Sequence, residues 1–193
     1  GTALSSHELA QGYEDVKDLS VTAKFKIVGV ENGYFLAWTT TPWTLPGNVA
    51  LAVGENIIYS VIKIKNKNEA YILAKDRLGV INEEYEVLKE IKGKDLIGLK
   101  YTPLFDVSEL KNDKSYMIYG ADFVNTEDGT GVVHTAVMYG DDDYKLGKKI
   151  GLPMFHTVSP DGKFINSLKN GFAGMYVKSK ETEEKIINYL KEN

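Results

Sequence analysis

The chain has 193 residues, no cysteine and a formal net charge of −4. This length is sufficient for one sizeable hydrophobic core. The absence of cysteine excludes disulfides and cysteine-based zinc sites, and it suits a reducing cytoplasm, where we expect the protein to be located. No apolar run approaches the ~20 residues of a membrane-spanning helix, so we expect no membrane partner.

The charged residues argue against recognition of a long nucleic acid by this chain alone. Arg77 is the only arginine, so arginine forks that grip phosphates or guanines are nearly excluded. Binding to a whole duplex should therefore be weak and sensitive to salt. The lysines at 145, 148 and 149 could make local phosphate contacts, although solvated helix lysines are the simpler interpretation.

Strand patterns dominate the chain from its first third onward. Segments with period-two alternation or β-rich composition, separated by Gly, Asn and Asp turns, predict strands. These segments are 19–28, 34–39, 49–53, 57–65, 70–74, 85–91, 115–119 and 131–136. Short strands at this spacing favour a barrel or a folded sheet.

Helices are fewer than strands. They are predicted at 75–81, 144–150 and 181–191. The last carries an apolar stripe of Ile186, Ile187 and Leu190, which we expect to dock on the β core. The predicted fold class is therefore mainly β with peripheral helices (α+β).

The segment 38–48, Trp-Thr-Thr-Thr-Pro-Trp-Thr-Leu-Pro-Gly-Asn, follows the apolar strand residues 34–37. Three consecutive threonines at a strand end, stopped by Pro42, predict a rigid lip rich in hydroxyl groups beside an apolar wall. Such a lip suits a small polar ligand better than the interior of a fold. The alternative is a strand that runs into a Pro-Gly turn, because threonine is common in strands.

A second block, residues 120–136, ends in a strand that delivers His134. The Asp-Gly pair at 128–129 predicts a tight turn before that strand, because it favours positive φ. Nine residues after the histidine, Asp143 is the last of three aspartates at the start of a helix that Gly151 ends. Acidic residues at a helix start are often capping residues, which is the structural alternative to a site.

These blocks resemble, in the same order, signatures of the editing domain of isoleucyl-tRNA synthetase. That domain is the insert in the class I catalytic fold called connective peptide 1 (CP1). The matching segments are 38–48, 93–105, 121–136 and 140–153, and the resemblance covers roughly residues 20–175. It implies a β-barrel core with peripheral helices, and it implies that residues 1–193 form a single editing domain, a fragment of a larger synthetase.

The resemblance implies hydrolysis of the ester between a wrong amino acid and the 3′ ribose of tRNA. An isoleucine site cannot strongly reject valine, which lacks one methylene, and this synthetase is the standard example of that limit. The implied partners are the 3′ acceptor end of tRNA(Ile) and the valine moiety of misacylated tRNA or valyl-adenylate. The domain should be a monomer without a cofactor or metal, whereas the parent enzyme would use ATP and Mg²⁺.

Two matched residues are implied to bind the amino acid. Asp143 corresponds to the carboxylate that fixes the α-ammonium by a charge-assisted bond. His134 corresponds to a residue that lines the pocket and helps to set its size limit. The general base stays open, because threonine hydroxyls are poor bases and His134 could act sterically.

The threonine segment supplies the remaining implied site residues. Thr39, Thr40 and Thr41 should surround the scissile ester and the attacking water, so they join His134 and Asp143 as candidate catalytic residues. Trp43 and Asn48 should flank the pocket and help to hold the nucleotide end. Because side chains alternate along a strand, the three threonines can face one ligand only if the chain bends at the following proline.

The chain departs from the family pattern after His134. The family usually continues Thr-Ala-Pro-Ala-(Phe or His)-Gly, whereas residues 137–140 are Val-Met-Tyr-Gly. Loss of the proline puts the stiffness of this loop in question, and with it the rate or selectivity of editing.

Three other functions are compatible with the residues. His134 and the aspartates at 141–143 could bind Mg²⁺ or Ca²⁺, but consecutive aspartates cannot all face one ion without an unusual backbone. The chain could be a non-catalytic module that only binds acceptor ends. It could also be the editing domain of a valyl or leucyl synthetase, although those usually carry Thr-Thr-Arg-Pro where residues 39–46 match the isoleucyl form.

Overall fold

The computed structural model describes residues 20–192. Its strands are β1 Val21–Lys26, β2 Gly33–Thr39, β3 Ala50–Val53, β4 Ile58–Ile64, β5 Ala70–Ala74, β6 Tyr85–Lys92, β7 Met117–Gly120 and β8 Val132–Thr135, and its α-helices are α1 Asp141–Ile150 and α2 Lys180–Glu192. The predicted predominance of β-structure is confirmed, and every predicted strand is present within two residues of its expected bounds. Leu19, the first residue of the first predicted strand, lies outside the described range. The predicted single domain, residues 1–193, also includes residues 1–18 and 193, which lie outside that range.

The strands form two open sheets and no closed barrel within residues 20–192. One sheet has the order β1-β2-β5-β4-β6, and the other has the order β7-β3-β8. The expectation of a closed barrel is therefore wrong. The physical reason lies in β6, which among residues 20–192 pairs only with β4 and is exposed along most of its length. Its sequence Tyr-Glu-Val-Leu-Lys-Glu-Ile-Lys supplies the charges that protect an edge strand from further pairing.

The two sheets are joined at the residues just before β8. The Thr130 hydroxyl donates to the Leu36 carbonyl at 2.6 Å, and the Ala74 amide donates to the Thr130 carbonyl at 2.8 Å. Gly131 has φ +72°, and a Cβ at this position would lie 2.4 Å from the Ala74 Cβ, so only glycine fits. The Tyr59 hydroxyl donates to the Gly131 carbonyl at 2.6 Å. These contacts place β8 beside β2. They thereby bring together the threonine segment, 38–48, and the histidine segment, 120–136.

The hydrophobic core lies between the sheets and α2. All four residues of β3 are buried, as are Phe25, Phe35 and Tyr101. In α2, Ile186 is fully buried in this core and Leu190 packs against it, which confirms the predicted docking of the apolar stripe. No helix within the described range is long and apolar enough to cross a membrane.

Two predicted helices differ in detail. The segment predicted at 75–81 is a 3₁₀ helix, Lys75–Val80, without a fully buried residue, although Leu78 packs half-buried against the cluster that includes Ile62 and Leu73. The helix predicted at 144–150 begins three residues earlier, at Asp141, and ends as expected at Gly151, whose φ is +85°. The aspartates therefore form its first turn, which the helix dipole favours, and the capping position belongs to Gly140.

Candidate active site

A cavity of about 320 Å³ lies where the end of β2, the loop before β8 and the start of α1 meet. Its lining includes Thr39, Thr40, Thr41, His134 and Asp143. The structure therefore brings together all five residues that the sequence nominated as catalytic. They come from segments almost a hundred residues apart, and the contacts of Gly131 with β4 and β5 of the five-stranded sheet help to hold those segments side by side.

The threonine lip is a tight turn at the end of β2. Pro42 begins a 3₁₀ helix that runs to Gly47, so the chain leaves the strand direction and all three threonines line the cavity. The Thr39 Oγ1 accepts a hydrogen bond from the Thr41 amide at 3.1 Å and lies 3.3 Å from the Thr41 Oγ1. Thr39 is buried, whereas Thr40 and Thr41 are exposed at the cavity. The hydroxyls of Thr40 and Thr41 are thus the ones best placed to meet a ligand.

His134 is a buried wall of the cavity. Its exposed fraction is 8%, its Nδ1 lies 3.2 Å from the Asn48 Nδ2, and its Nε2 lies 2.8 Å from the Thr44 Oγ1. Burial lowers the pKa of His134 to about 4, so the ring is neutral at pH 7. Since both ring nitrogens are engaged, the imidazole is poorly placed to take a proton from water and well placed to limit the space available.

Asp143 differs from the two aspartates before it. Its Oδ2 accepts a hydrogen bond from the Ala136 amide at 3.1 Å, and within the described range no cation pairs with it. Burial, with a smaller contribution from the neighbouring Asp142, raises its pKa to about 6, even though the Ala136 bond acts in the opposite direction. Asp141 and Asp142 are exposed, and Asp141 pairs with Lys145. In the described part of the chain, only Asp143 therefore offers the cavity a half-buried carboxylate without a cation beside it.

The two residues nominated for the nucleotide end lie elsewhere. Asn48 has an exposed fraction of 4% and sits behind His134, so it has no surface on the cavity. Trp43 lines a neighbouring, more apolar cavity of about 650 Å³ and meets Tyr139 edge-to-face, with ring centroids 5.4 Å apart. Tyr139 lines both cavities, so the two spaces are adjacent.

The loop before β8 forms a wall of the first cavity that the sequence did not suggest. Gly129 has φ +63°, which confirms the predicted Asp-Gly turn, and this turn lines the cavity. Arg77 holds it, since its Nε donates to the Gly129 carbonyl at 2.8 Å and its guanidinium also donates to the Glu127 carbonyl at 3.1 Å. The only arginine thus stabilises the cavity wall. The nearby Trp38 also lines the cavity. The sequence feature that could have predicted this is its position at the end of the apolar strand, directly before the threonines.

The loop that departs from the family pattern is held by Tyr139 and Val137. The Tyr139 amide donates to the Ala136 carbonyl at 2.9 Å. Its hydroxyl accepts hydrogen bonds from the amides of Thr157 at 2.7 Å and Val158 at 3.0 Å. Val137 is buried against Gly147 of α1, where any Cβ would lie 2.5 Å from the valine. These contacts stiffen the loop in place of the missing proline.

The aspartates do not form a metal centre with His134. Among residues 20–192, no group of three or more His, Asp or Glu side chains is placed to hold a metal ion. Asp141 and Asp142 are exposed and do not line the cavity that contains His134 and Asp143. The cavity thus presents the half-buried carboxylate of Asp143, the exposed carboxylate of Asp128 in the turn before β8, a row of hydroxyls and a neutral imidazole.

Comparison with known proteins gives close relatives in sequence. No protein-family profile matches the chain. Over its whole length the chain is 49% identical to the isoleucine–tRNA ligase of Clostridium acetobutylicum and 51% identical to that of Clostridium tetani. It is 47% identical, over 98% of its length, to isoleucine–tRNA ligase 2 of Bacillus cereus. In each case the chain spans only 18% of the length of the ligase.

Solved structures share the fold at low sequence identity. GlLeuRS-CP1 has a TM-score of 0.69 and 16% identity, and the match covers 91% of this chain and 96% of that one. The editing domain of the P. falciparum cytosolic leucyl-tRNA synthetase has a TM-score of 0.63 and 14% identity, with 83% of this chain and 77% of that one covered. The fold is therefore that of these editing domains.

Proposed function

We propose that this chain, which is the CP1 editing domain of a class I aminoacyl-tRNA synthetase, hydrolyses the ester of valine misacylated to tRNA(Ile). The observation that supports this most is the half-buried Asp143 carboxylate, which has no cation partner among residues 20–192 and shares one small cavity with hydroxyls and a neutral imidazole. An aminoacyl ester presents an ammonium, a carbonyl and a short apolar side chain. The cavity offers a matching group for each of these.

Asp143 is the proposed ammonium site. Its Oδ2 is occupied by the Ala136 amide, so the other carboxylate oxygen is the one that can accept from the substrate. A charge-assisted bond to the ammonium would replace the missing cation and favour the ionised carboxylate. Binding at this point would place the ester carbonyl, two bonds away from the ammonium nitrogen, near the hydroxyls of the lip.

The hydrolysis itself requires a water molecule held against the ester carbonyl. A bond forms between the water oxygen and the carbonyl carbon, the bond from that carbon to the ribose oxygen breaks, and the proton lost by water ends on the ribose oxygen. Thr40 and Thr41 can orient the water by donating and accepting hydrogen bonds. An ester needs less assistance than an amide, so positioning, with the vicinal ribose hydroxyl of the tRNA, can supply much of the acceleration.

Selection between valine and isoleucine is assigned to the wall formed by His134. The ring is held from both sides, by Asn48 at Nδ1 and by Thr44 at Nε2. A side chain longer by one methylene would have to displace this ring from a packed position. A fixed wall of this kind admits valine and excludes isoleucine.

The nucleotide end of the tRNA is proposed to occupy the second cavity. Its aromatic lining of Trp43, Tyr139 and His156 suits stacking of a base, and Lys178 at the same cavity suits a phosphate. Because Tyr139 lines both cavities, a nucleotide there would be connected to an ester at the threonine lip. This arrangement suits a single-stranded 3′ end, in agreement with the shortage of arginine for binding a duplex.

The isoleucyl assignment is favoured over a valyl or leucyl one by sequence. The matching ligases at 49% and 51% identity are isoleucine–tRNA ligases, whereas the leucyl domains match at 14–16% and share the fold only. The remaining alternative is a module that binds acceptor ends without turnover. It would use the same lip and carboxylate for affinity alone.

The test separates turnover from binding. The chain is mixed with valyl-tRNA(Ile), and both release of free valine and retention of the uncharged tRNA are followed. Hydrolysis well above the spontaneous rate, lost in Asp143→Ala, supports the deacylase. Binding of the acceptor end without valine release would support the non-catalytic module and contradict the proposal.

A further inference from the structure

A row of buried hydrogen bonds runs from the core to the threonine lip through His134. It starts at Tyr101, whose hydroxyl donates to the Asn48 Oδ1 at 2.6 Å. It continues from Asn48 to His134 and from His134 to Thr44, and it ends where the Thr44 hydroxyl donates to the Thr41 carbonyl at 2.8 Å. The first four residues have exposed fractions of 2%, 4%, 8% and 6% in that order.

The positions of the protons along this row follow from the chemistry of each group. The Asn48 Nδ2 donates to the Ala50 carbonyl at 2.9 Å, and a carbonyl can only accept, so the amide orientation is unambiguous. The second proton on Nδ2 is shared between the His134 Nδ1 at 3.2 Å and the more distant Thr135 carbonyl at 3.5 Å. Because an amide nitrogen cannot accept a hydrogen bond, Nδ1 must be an unprotonated acceptor. A neutral imidazole therefore carries its proton on Nε2 and donates it to the Thr44 Oγ1.

We propose that Tyr101 is a positioning residue for editing, which acts through Asn48 to fix the tautomer and orientation of His134 and, through Thr44, the backbone of the threonine lip. This role rests on the proposed function of the cavity. Tyr101 lies in segment 93–105. This segment resembles the family, but it contributes no residue to the lining of the first cavity. Its hydroxyl, together with the Ala50 carbonyl on the other side of the amide, keeps the Asn48 oxygen turned away from the imidazole.

Asn48 is assigned to the same task. Instead of holding the nucleotide end, it supplies the one donor that an unprotonated Nδ1 needs. In the variant Asn48→Asp, the carboxylate could still accept from Tyr101 but could only accept from His134 as well. The ring would then have to carry a proton on Nδ1, and its bond to Thr44 would be reversed or lost.

The matched control is Tyr116→Phe. Tyr116 is a second tyrosine of the core, whose ring lies edge-to-face with that of Tyr101 at 6.0 Å. Its buried hydroxyl has no hydrogen-bond partner in the described part of the chain. Each Tyr→Phe variant removes one hydroxyl and keeps the ring, but only Tyr101→Phe interrupts the row.

The test begins with ¹⁵N NMR of the histidine rings at pH 7, which needs no substrate. We expect wild-type chain and Tyr116→Phe to show His134 as the neutral Nε2-protonated tautomer. Tyr101→Phe should show a mixture of tautomers, and Asn48→Asp should show protonation at Nδ1. A wild-type His134 protonated on Nδ1, or a tautomer in Tyr101→Phe that is the same as in Tyr116→Phe, would overturn the proposal.

The second measurement is the ratio of the deacylation rates of valyl- and isoleucyl-tRNA(Ile). In Tyr101→Phe this ratio should fall roughly fivefold, the scale expected from one lost hydrogen bond, with a smaller change in KM. Tyr116→Phe should leave the ratio unchanged. An unchanged ratio in Tyr101→Phe, or an equal fall in both variants, would contradict the positioning role. If no variant and no wild-type chain released valine, the proposed function would fail, while the NMR result would still decide the positioning of His134.

Discussion

The Asp143 carboxylate is tied to the residue that follows β8, because the Ala136 amide donates to its Oδ2 at 3.1 Å. One hydrogen bond thus links the histidine strand to the first turn of α1. It holds one oxygen of the carboxylate and leaves the other oxygen for a ligand. The same burial that makes this carboxylate useful makes it costly to ionise.

Asp143→Ala should abolish the hydrolysis of valyl-tRNA(Ile) while the fold stays intact. Loss of a charge-assisted bond to the ammonium predicts a fall in kcat/KM of roughly a hundredfold. Asp141→Ala and Asp142→Ala are the controls, because these neighbours are exposed and lie outside the cavity. Deacylation rates of the three variants, with circular dichroism to verify folding, provide the measurement, and equal losses in all three would refute a single anchor.

The raised pKa of Asp143 predicts a pH-dependent effect on stability. The pKa of the folded state is about 6, above the ordinary value of 3.8, so folding favours the protonated carboxyl. Its stabilising contribution is complete below pH 3.8 and is lost as the pH rises through about 6. Asp143→Asn should therefore raise the free energy of unfolding at pH 8 by about 1–2 kcal/mol, a value reduced for the partial access of solvent.

This prediction is checked by denaturant unfolding of wild-type chain and Asp143→Asn at pH 3.5 and pH 8. Comparing the two proteins at each pH cancels the contributions of all other groups. The difference between them should be near zero at the lower pH and appear at the higher one. A difference that is the same at both values would mean that the asparagine acts through packing and that the carboxylate is not costly to ionise.

His134→Ala should widen the cavity enough for isoleucine to be hydrolysed from correctly charged isoleucyl-tRNA(Ile). Removal of an imidazole opens more room than the single methylene that separates the two substrates. Rates for both esters are needed. A variant that loses valine hydrolysis and gains none for isoleucine would show that the imidazole takes part in the chemistry.

The three threonines should respond unequally to replacement by valine, which keeps the shape and removes the hydroxyl. Thr40→Val and Thr41→Val should each slow editing about tenfold, or about 1.4 kcal/mol. Thr39→Val should mainly lower the stability of the fold, because the Thr39 hydroxyl accepts a hydrogen bond from the Thr41 amide inside the turn. Single-turnover deacylation of the three variants separates these effects. Three silent substitutions would remove the threonine lip from the mechanism.

Much of the local structure could be predicted because it is encoded locally. The alternation of apolar and polar residues predicted the strands, and Gly151 predicted the end of α1. Pro42 predicted the turn that brings the three threonines to one cavity. The closure of the sheet could not be predicted in this way, because it depends on whether the edge strands β1 and β6 meet. Alternation within a strand carries no information about such an encounter.

The parts of the site that the sequence missed depend on distant partners. Arg77 donates to the backbone carbonyl of Gly129, 52 positions away in the sequence. Tyr101 donates to the side-chain oxygen of Asn48, 53 positions away. No local sequence pattern around Arg77 or Tyr101 predicts these partners. Trp43 was predicted to flank the pocket, and the 3₁₀ helix places it in the neighbouring cavity. Placing Asp143 ahead of its two neighbours required the resemblance, because all three lie in the same helical turn.

The most direct test of the account is the deacylation of valyl-tRNA(Ile) compared with isoleucyl-tRNA(Ile), by this chain and by a synthetase that carries it as its CP1 insert. We predict that valine is released at least tenfold faster than isoleucine, and that the selectivity disappears in His134→Ala within the same synthetase. Equal rates for both esters in the wild-type synthetase, or no release of either, would contradict the assignment of this cavity as the editing site.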